Sequence, residues 1–178
     1  MTSPTALCRR ALFASLLAFA GSLGAAEPAA STRIEVTWTD PSALTETKDA
    51  HGRGWNRGEA WLVDLRKHLV RQADRVLPTG ERLEVTFTDI KLAGSFEPWR
   101  GPRFDDVRIV KDIYPPRIDL RFTVKSADGS VLADGERTLR DPGFLTRSIA
   151  NTSDPLRYEK RMLDEWVRRE FKADNRGS

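Results

Sequence analysis

The chain of 178 residues has little cysteine and histidine, with Cys8 as its one cysteine and His51 and His68 as its two histidines. A lone cysteine excludes an internal disulfide, because a disulfide joins two cysteines. The histidines do not have the paired spacing of a zinc-binding helix. A phosphate-binding glycine loop, a dinucleotide-binding glycine pattern and the serine nucleophile elbow are also missing. The sequence therefore contains no complete catalytic motif, and we expect no cofactor and no bound metal.

Long hydrophobic runs are missing too, and the one short apolar run lies at the N-terminus. It covers residues 11–20, follows Arg9 and Arg10, and is itself followed by small residues. These are the three parts of a secretory signal peptide. The run is shorter than the roughly 20 residues that a membrane-spanning helix needs. We therefore predict a cleavable signal peptide over 1–26, cleavage after Ala26, and a periplasmic or secreted mature chain.

Removal of residues 1–26 changes the charge and the redox chemistry of the chain. It takes away Cys8, Arg9 and Arg10 but no acidic residue, so 29 basic against 26 acidic residues become 27 against 26. A net charge of +1 supplies no basic excess of the kind that binds nucleic acid. The remaining length suffices for one ordinary hydrophobic core. We expect a single domain over 27–178, with no nucleic-acid partner and no membrane span.

Apolar periodicity predicts the secondary structure of this domain. Alternation of apolar and polar residues indicates strands over 33–39, 83–88, 107–111, 118–125 and 131–139, with a hairpin turn at 128–129 and a bulge at 134–135. Helical spacing of apolar residues indicates helices over 57–77 and 155–171, the second one capped by Asp154. The first strand, helix and second strand form a crossover unit, which makes those two strands parallel. The predicted fold is a two-layer α+β sandwich, in which a mixed sheet of four or five strands carries two amphipathic helices on one face.

Two segments without clear periodicity, over 40–58 and 94–106, are predicted to be long loops. They share a richness in aromatic and arginine side chains, namely Arg53, Trp55, Arg57, Phe96, Trp99, Arg100, Arg103 and Phe104. These residue types are enriched at binding surfaces, because they offer a large apolar area and planar hydrogen-bond donors. We predict a non-enzymatic binding surface made by Trp55, Arg57, Trp99, Arg100 and Arg103, with an envelope protein or a cell-wall glycan as partner. In the alternative interpretation, Trp55 and Trp99 fold back over the core.

Carboxylates offer a second functional class, a small hydrolase acting on an envelope substrate. Asp105 and Asp106 follow the second loop and Asp40 follows the first strand. Two carboxylates held near each other divide acid and base work in glycoside hydrolysis. Aspartates in such positions also cap turns, and this is the simpler interpretation. Because no complete catalytic set can be named, we favour the binding function.

The histidines are weaker candidates. His51 lies close in sequence to Asp49, and a histidine–aspartate pair can act as a base or contribute to a metal site. His68 falls on or beside the apolar stripe of the first predicted helix, which favours a packed helix histidine.

Four segments carry a resemblance to a known family: RIEVTWTDP, DIKLAG followed by EPWRG, VRIVKDIYPPRIDL and SDPLRYEKRMLDEW. They resemble the bacterial family catalogued as domain of unknown function 3016. The similar region extends from about residue 33 to residue 171. The resemblance implies an exported protein of Gram-negative type bacteria. It implies no activity, because the family has no assigned catalytic or binding residues.

Overall fold

The computed structural model describes residues 33–50, 58–147 and 153–171. Nine helices and strands, apart from short 3-10 turns, follow one another within these ranges. They are β1 (Ile34–Trp38), α1 (Thr45–Ala50), α2 (Ala60–Asp74), β2 (Arg82–Lys91), β3 (Ser95–Phe96), β4 (Arg108–Ile109), β5 (Arg117–Lys125), β6 (Val131–Arg140) and α3 (Arg157–Glu170). Within the described ranges, no helix combines the length and the apolar character that a membrane span requires.

The main sheet has four strands in the order β1-β2-β5-β6. β1 and β2 are parallel, with Ile34 opposite Leu83 and Trp38 opposite Phe87, as the crossover between them predicts. β2 and β5 are antiparallel, and so are β5 and β6. The sheet is therefore mixed, and the predicted α+β class is confirmed.

One face of the sheet is buried under α2 and α3. In the two inner strands, β2 and β5, buried residues alternate with more exposed ones. The buried apolar residues, such as Val85 and Phe122, point to the helices. The helices bury the apolar residues that their periodicity marks, Trp61, Leu62, Leu65, Leu69 and Ala73 on α2 and Met162, Leu163, Trp166 and Val167 on α3. Burial of each large apolar side chain contributes roughly 2 kcal/mol before entropy is counted. These contacts hold the two layers together.

Both helices are shorter than predicted. α2 begins at Ala60 and ends at Asp74, because beyond that point the chain tightens into a turn in which the amides of Val76 and Leu77 both bond to the carbonyl of Ala73. The predicted start of this helix, at residue 57, lies outside the described residues.

The start of α3 is also later than predicted. Asp154 accepts a hydrogen bond from the amide of Leu156 at 2.8 Å, as a capping residue does, but the chain makes one turn before the helix begins at Arg157. The carboxylate of Asp154 also accepts from Lys160 at 2.6 Å, which ties this turn to the helix.

The prediction of an unbroken loop over 40–58 was wrong for residues 41–50. A 3-10 turn at Pro41–Ala43 and helix α1 occupy this stretch. The turn forms because the carboxylate of Asp40 accepts from both the amide and the hydroxyl of Ser42. Leu44 and Ala50 are buried and hold α1 against the body of the protein.

The predicted bulge in β6 lies at a different residue. Ala133 and Val131 face consecutive residues of β5, so Leu132 is the extra residue. Gly135, in the predicted bulge at 134–135, stays in register opposite Phe122. The bulge therefore lies next to the hairpin turn.

The second predicted loop also contains regular structure. β3 and β4 pair with each other in a separate two-stranded sheet, and 3-10 turns at Pro98–Arg100 and Pro102–Phe104 connect them. The short strand predicted within 107–111 is thus confirmed as β4. We call residues 95–113 the arm.

Candidate functional site

Gly94 sets the position where the arm leaves the main sheet. Its φ of 87° lies in the left-handed region, and its amide bonds to the carbonyl of Tyr114 at 3.0 Å. A Cβ at this position would lie 2.8 Å from the carbonyl oxygen of Ile109. Only glycine allows β4 to pass this close to the backbone.

Replacing Gly94 should therefore loosen the arm. We expect Gly94→Ala to reduce the free energy of unfolding by about 1–3 kcal/mol, since the new methyl group adds a backbone clash to an unfavourable φ. Gly101→Ala is the matched control, because Gly101 has a φ of 102° but open space around its Cβ position. Urea unfolding of both variants measures the difference. Equal losses of unfolding free energy in the two variants would show that the close approach of Gly94 to β4 does not contribute to stability.

A buried carboxylate, Glu97, fixes the arm from within. Its side chain is 2% exposed and accepts hydrogen bonds from Lys111 at 2.6 Å and from the Tyr114 hydroxyl at 3.0 Å. The guanidinium of Arg100 lies 3.6 Å from its other oxygen. The hydrogen bond from Lys111 is the main reason that the pKa of Glu97 lies below its usual value, against the effect of burial. Glu97 is therefore a charged anchor for both ends of the arm.

A second anchor is Arg108 of β4. Its guanidinium forms an ion pair with Glu46 of α1 and donates to the carbonyl of Gly94 at 3.1 Å. It also stacks over the ring of Phe96, with 4.8 Å to the ring centroid. The side chain of Arg108 is only 10% exposed. The arm is thereby joined to α1 by a buried ion pair.

Glu159 of α3 completes what we call the carboxylate–guanidinium cluster, formed by Glu46, Arg108 and Glu159. Glu159 is fully buried and accepts from the amide of Ala93 at 2.7 Å, while Glu46 accepts from the amide of Leu92 at 2.9 Å. One oxygen of Glu159 has no hydrogen-bond partner among the described residues. Burial raises the pKa of Glu159 to about 7, although the Ala93 hydrogen bond opposes the change. Two carboxylates and one guanidinium thus lie together in the interior.

The outer surface of the arm is unusually apolar. Among the described residues, five of the nine exposed large apolar side chains belong to it, namely Trp99, Phe104, Val107, Val110 and Ile113. Trp99 is 72% exposed and Ile113 is 67% exposed. Clustered exposed apolar side chains on a folded protein are typical of an interaction site.

The structure brings together three of the five predicted binding residues. Trp99, Arg100 and Arg103 lie on the two consecutive 3-10 turns of the arm, and the guanidinium of Arg100 lies 5.2 Å from the ring centroid of Phe104. The alternative that Trp99 folds back over the core is wrong, because its side chain points to solvent. Trp55 and Arg57 lie outside the described residues.

Two of the carboxylates proposed for hydrolysis, Asp40 and Asp105, lie at the ends of 3-10 turns. Hydrogen bonds from the side chain and amide of Ser42 lower the pKa of Asp40, which marks it as the cap of a turn.

 The other catalytic candidates are not brought together among the described residues. Asp105 ends the 3-10 turn at Pro102–Phe104. Asp49 forms an ion pair with Lys91 at 2.5 Å, and His51 lies outside the described residues. Across the described ranges, no three histidine, cysteine or acidic side chains are grouped as metal ligands would be.

His68 is a packed helix histidine, as predicted. It lies partly buried between α2 and α3, and its Nε2 is 2.6 Å from a carboxylate oxygen of Asp164. Sequence periodicity places His68 on the inner side of α2, but it does not identify a partner so distant along the chain. The pair links the two helices.

The segment SDPLRYEKRMLDEW has a structural role in this arrangement. It forms the first part of α3 and the turn before it, and its polar and aromatic side chains reach three separate parts of the protein, namely the turn at 141–144, Ala93 and α2. These contacts are Tyr158 with Phe144, Glu159 with Ala93, Arg161 with Asp141, and Asp164 with His68. The segment therefore connects α3 to Ala93, which lies just before the arm.

The chain was compared with protein families and with curated proteins. A family model described as "Protein of unknown function (DUF3016)" matches residues 32–169, which include the arm and all of α3 except its last residue. The search of curated proteins found no match to the chain.

Proposed function

Because this chain belongs to the DUF3016 family of proteins of unknown function, its role has to be argued from its own residues, and we propose that it is a non-enzymatic binding module of the bacterial cell envelope. The observation that carries this proposal is the exposure of Trp99 on a firmly anchored arm. Export is supported by the signal-peptide pattern over 1–26. No observation on the described residues favours the hydrolase.

The anchoring of the arm favours binding, because side chains that are already held in place do not have to be ordered when a partner binds. Glu97 and Arg108 hold the arm with buried ion pairs, so the exposed side chains project from a defined backbone. A surface fixed before binding loses less conformational entropy in the complex. The exposed apolar side chains can then contribute to affinity.

The composition of the surface favours a protein as the partner. Val107, Val110 and Ile113 are aliphatic, and they accompany Trp99 and the arginines of the 3-10 turns. Aromatic and arginine side chains are enriched in protein–protein interfaces, whose central parts are apolar. A glycan site would depend on the aromatic rings and would leave the aliphatic side chains without a role.

Affinity capture tests the proposal. The mature protein, beginning at Glu27, is immobilised and exposed to a detergent extract of the native envelope, and bound proteins are quantified by mass spectrometry. We expect a specific partner whose recovery falls at least tenfold when Trp99→Ala, Arg100→Ala and Arg103→Ala are combined, because aromatic and arginine side chains carry most interface energy. Adding Trp55→Ala tests the other predicted loop.

The matched control replaces one apolar and two arginine side chains elsewhere on the surface, with Arg71→Ala, Arg75→Ala and Val76→Ala near the end of α2. All three are exposed. The control should retain the partner. An unchanged set of captured proteins after the arm substitutions would refute the proposed binding surface, and retention on purified peptidoglycan alone would replace the protein partner with a glycan.

A further inference from the structure

The carboxylate–guanidinium cluster contains two acids and one base. Glu46 is 1% exposed, pairs with Arg108 through one oxygen and accepts from the amide of Leu92 through the other. Glu159 is 0% exposed and accepts from the amide of Ala93, while its Oε2 has no hydrogen-bond partner among the described residues. A buried carboxylate with an unsatisfied oxygen is costly in its charged form. Glu159 is therefore the member of the cluster that is easier to keep neutral.

The charged groups around Glu159 come from three parts of the protein. The negative charge of Glu46 on α1 adds to the effect of burial in raising the pKa of Glu159, and the positive charge of Arg108 on β4 opposes it. Asp141, in the turn at 141–144, is paired with Arg161 of α3. A small buried cluster of apolar side chains lies next to Glu159, namely Ala93, Phe144 and Tyr158. Ionisation of Glu159 therefore places a second negative charge near a guanidinium that Glu46 already uses.

The arm is a lightly built part of the fold. Its strands β3 and β4 have two residues each and pair with each other in a sheet separate from the main one, whereas β2 and β5 of the main sheet have ten and nine residues. Segments with short strand pairing open locally at a lower free-energy cost than the core of a protein. We therefore expect the arm to open while the main sheet stays folded.

Arg108 connects the arm to Glu159. It lies on β4, pairs with Glu46 outside the arm and donates to the carbonyl of Gly94, next to the residue whose amide bonds to Glu159. Displacement of β4 removes Arg108 from the cluster and admits water to it. Burial raises the pKa of Glu159 to about 7, and contact with water returns it towards the ordinary 4.5. The open arm thus releases a proton that the closed arm keeps, so rising pH favours opening.

We propose that the carboxylate–guanidinium cluster is a pH-dependent switch for the arm: a proton on Glu159 keeps the arm closed, and loss of that proton opens the arm where β4 and residues 93–94 meet. As regulation of the binding surface that contains Trp99, this inference rests on the proposed function. The opening itself is a property of the protein without any partner. The switch orders the surface in acidic surroundings and loosens it in alkaline ones.

Amide hydrogen exchange of the isotope-labelled mature protein tests the switch. Exchange is followed by NMR at pH 6 and pH 8, and the rates are corrected for the intrinsic effect of pH on exchange. We expect the opening constants of the Ala93 and Gly94 amides, which bond to Glu159 and Tyr114, to rise about tenfold between these pH values. At both pH values they should exceed the opening constants of the β5 amides at least tenfold, because the arm opens without the main sheet.

Two variants identify the group that controls the opening. Glu159→Gln should abolish the tenfold rise, and Glu165→Gln, which removes a surface partner of Arg147 on the same helix, should keep it. If Glu159→Gln does not fold, carbon-13 NMR of the wild-type Glu159 carboxyl decides, and it should ionise over the pH range in which the arm opens.

Three results would overturn the switch: arm opening in the wild type that is equal at pH 6 and pH 8, a rise that persists in Glu159→Gln, or equal opening constants for the arm and β5. Because these measurements use the protein alone, failure to capture a partner would refute the proposed function and leave the switch standing.

Discussion

Replacing Arg108 by methionine is expected to reduce the free energy of unfolding by about 3–5 kcal/mol. Glu46 is 1% exposed and Glu159 is 0% exposed, and Arg108 on β4 of the arm supplies the guanidinium that pairs with Glu46. Without it, a buried carboxylate keeps its desolvation cost and loses its ion pair. Urea unfolding of wild type and variant at neutral pH measures the difference.

Two further variants distinguish the loss of the Arg108–Glu46 ion pair from a nonspecific effect of replacing an arginine. Arg103→Met makes the same change at an exposed position of the arm, where we expect a change within about 0.5 kcal/mol. Combining Arg108→Met with Glu46→Gln should recover part of the loss, because the amide keeps an acceptor for the Leu92 amide but carries no charge. If Arg108→Met costs no more than Arg103→Met, the buried ion pair does not hold the arm.

The second prediction concerns the pH dependence of the free energy of unfolding. Burial raises the pKa of Glu159 from an ordinary value of 4.5 to about 7. Between these values the folded protein keeps a proton that the unfolded chain releases, so the free energy of unfolding falls as pH rises. The stability that this group contributes is fully present below pH 4.5 and is lost as pH passes 7. The total difference is about 3 kcal/mol.

Glu159→Gln should remove this dependence, since glutamine keeps an oxygen for the Ala93 amide and has no proton to lose. We expect the variant to resemble wild type near pH 5 and to gain stability relative to it up to pH 8. Denaturant unfolding at pH 5, 6, 7 and 8 provides the measurement, with Glu165→Gln as the control on the same helix, where the carboxylate is paired with Arg147 at the surface. If the free energies of unfolding of Glu159→Gln and wild type differ by the same amount at every pH in this range, the raised pKa of Glu159 is contradicted.

The strands and the exposed tryptophan were predictable because their signals are local. Alternating residues such as Ile34 and Val36 face one side of a strand wherever that strand lies, and a hydrophobic stripe marks the buried side of a helix. The aromatic and arginine content of the second loop likewise pointed to Trp99. These features depend on neighbours within a few residues.

The buried carboxylates were not predictable, because their partners are far away along the chain. Glu46 bonds to the amide of Leu92, and Glu159 bonds to the amide of Ala93. Glu159 does stand three residues before Met162 on the buried side of α3, which is a weak signal of an acid inside the core. Helix α1 escaped prediction for a similar reason, since Leu44 and Ala50 make only a short apolar pattern.

The most direct test of the binding surface is site-specific photo-crosslinking in living cells. A photoreactive phenylalanine derivative is placed at Trp99 and, as the control, at Leu145, an exposed apolar position outside the arm. We predict a discrete light-dependent adduct in the envelope fraction with the probe at position 99 and none at position 145. No adduct at position 99, or the same adducts from both positions, would contradict the assignment of the arm as a binding surface.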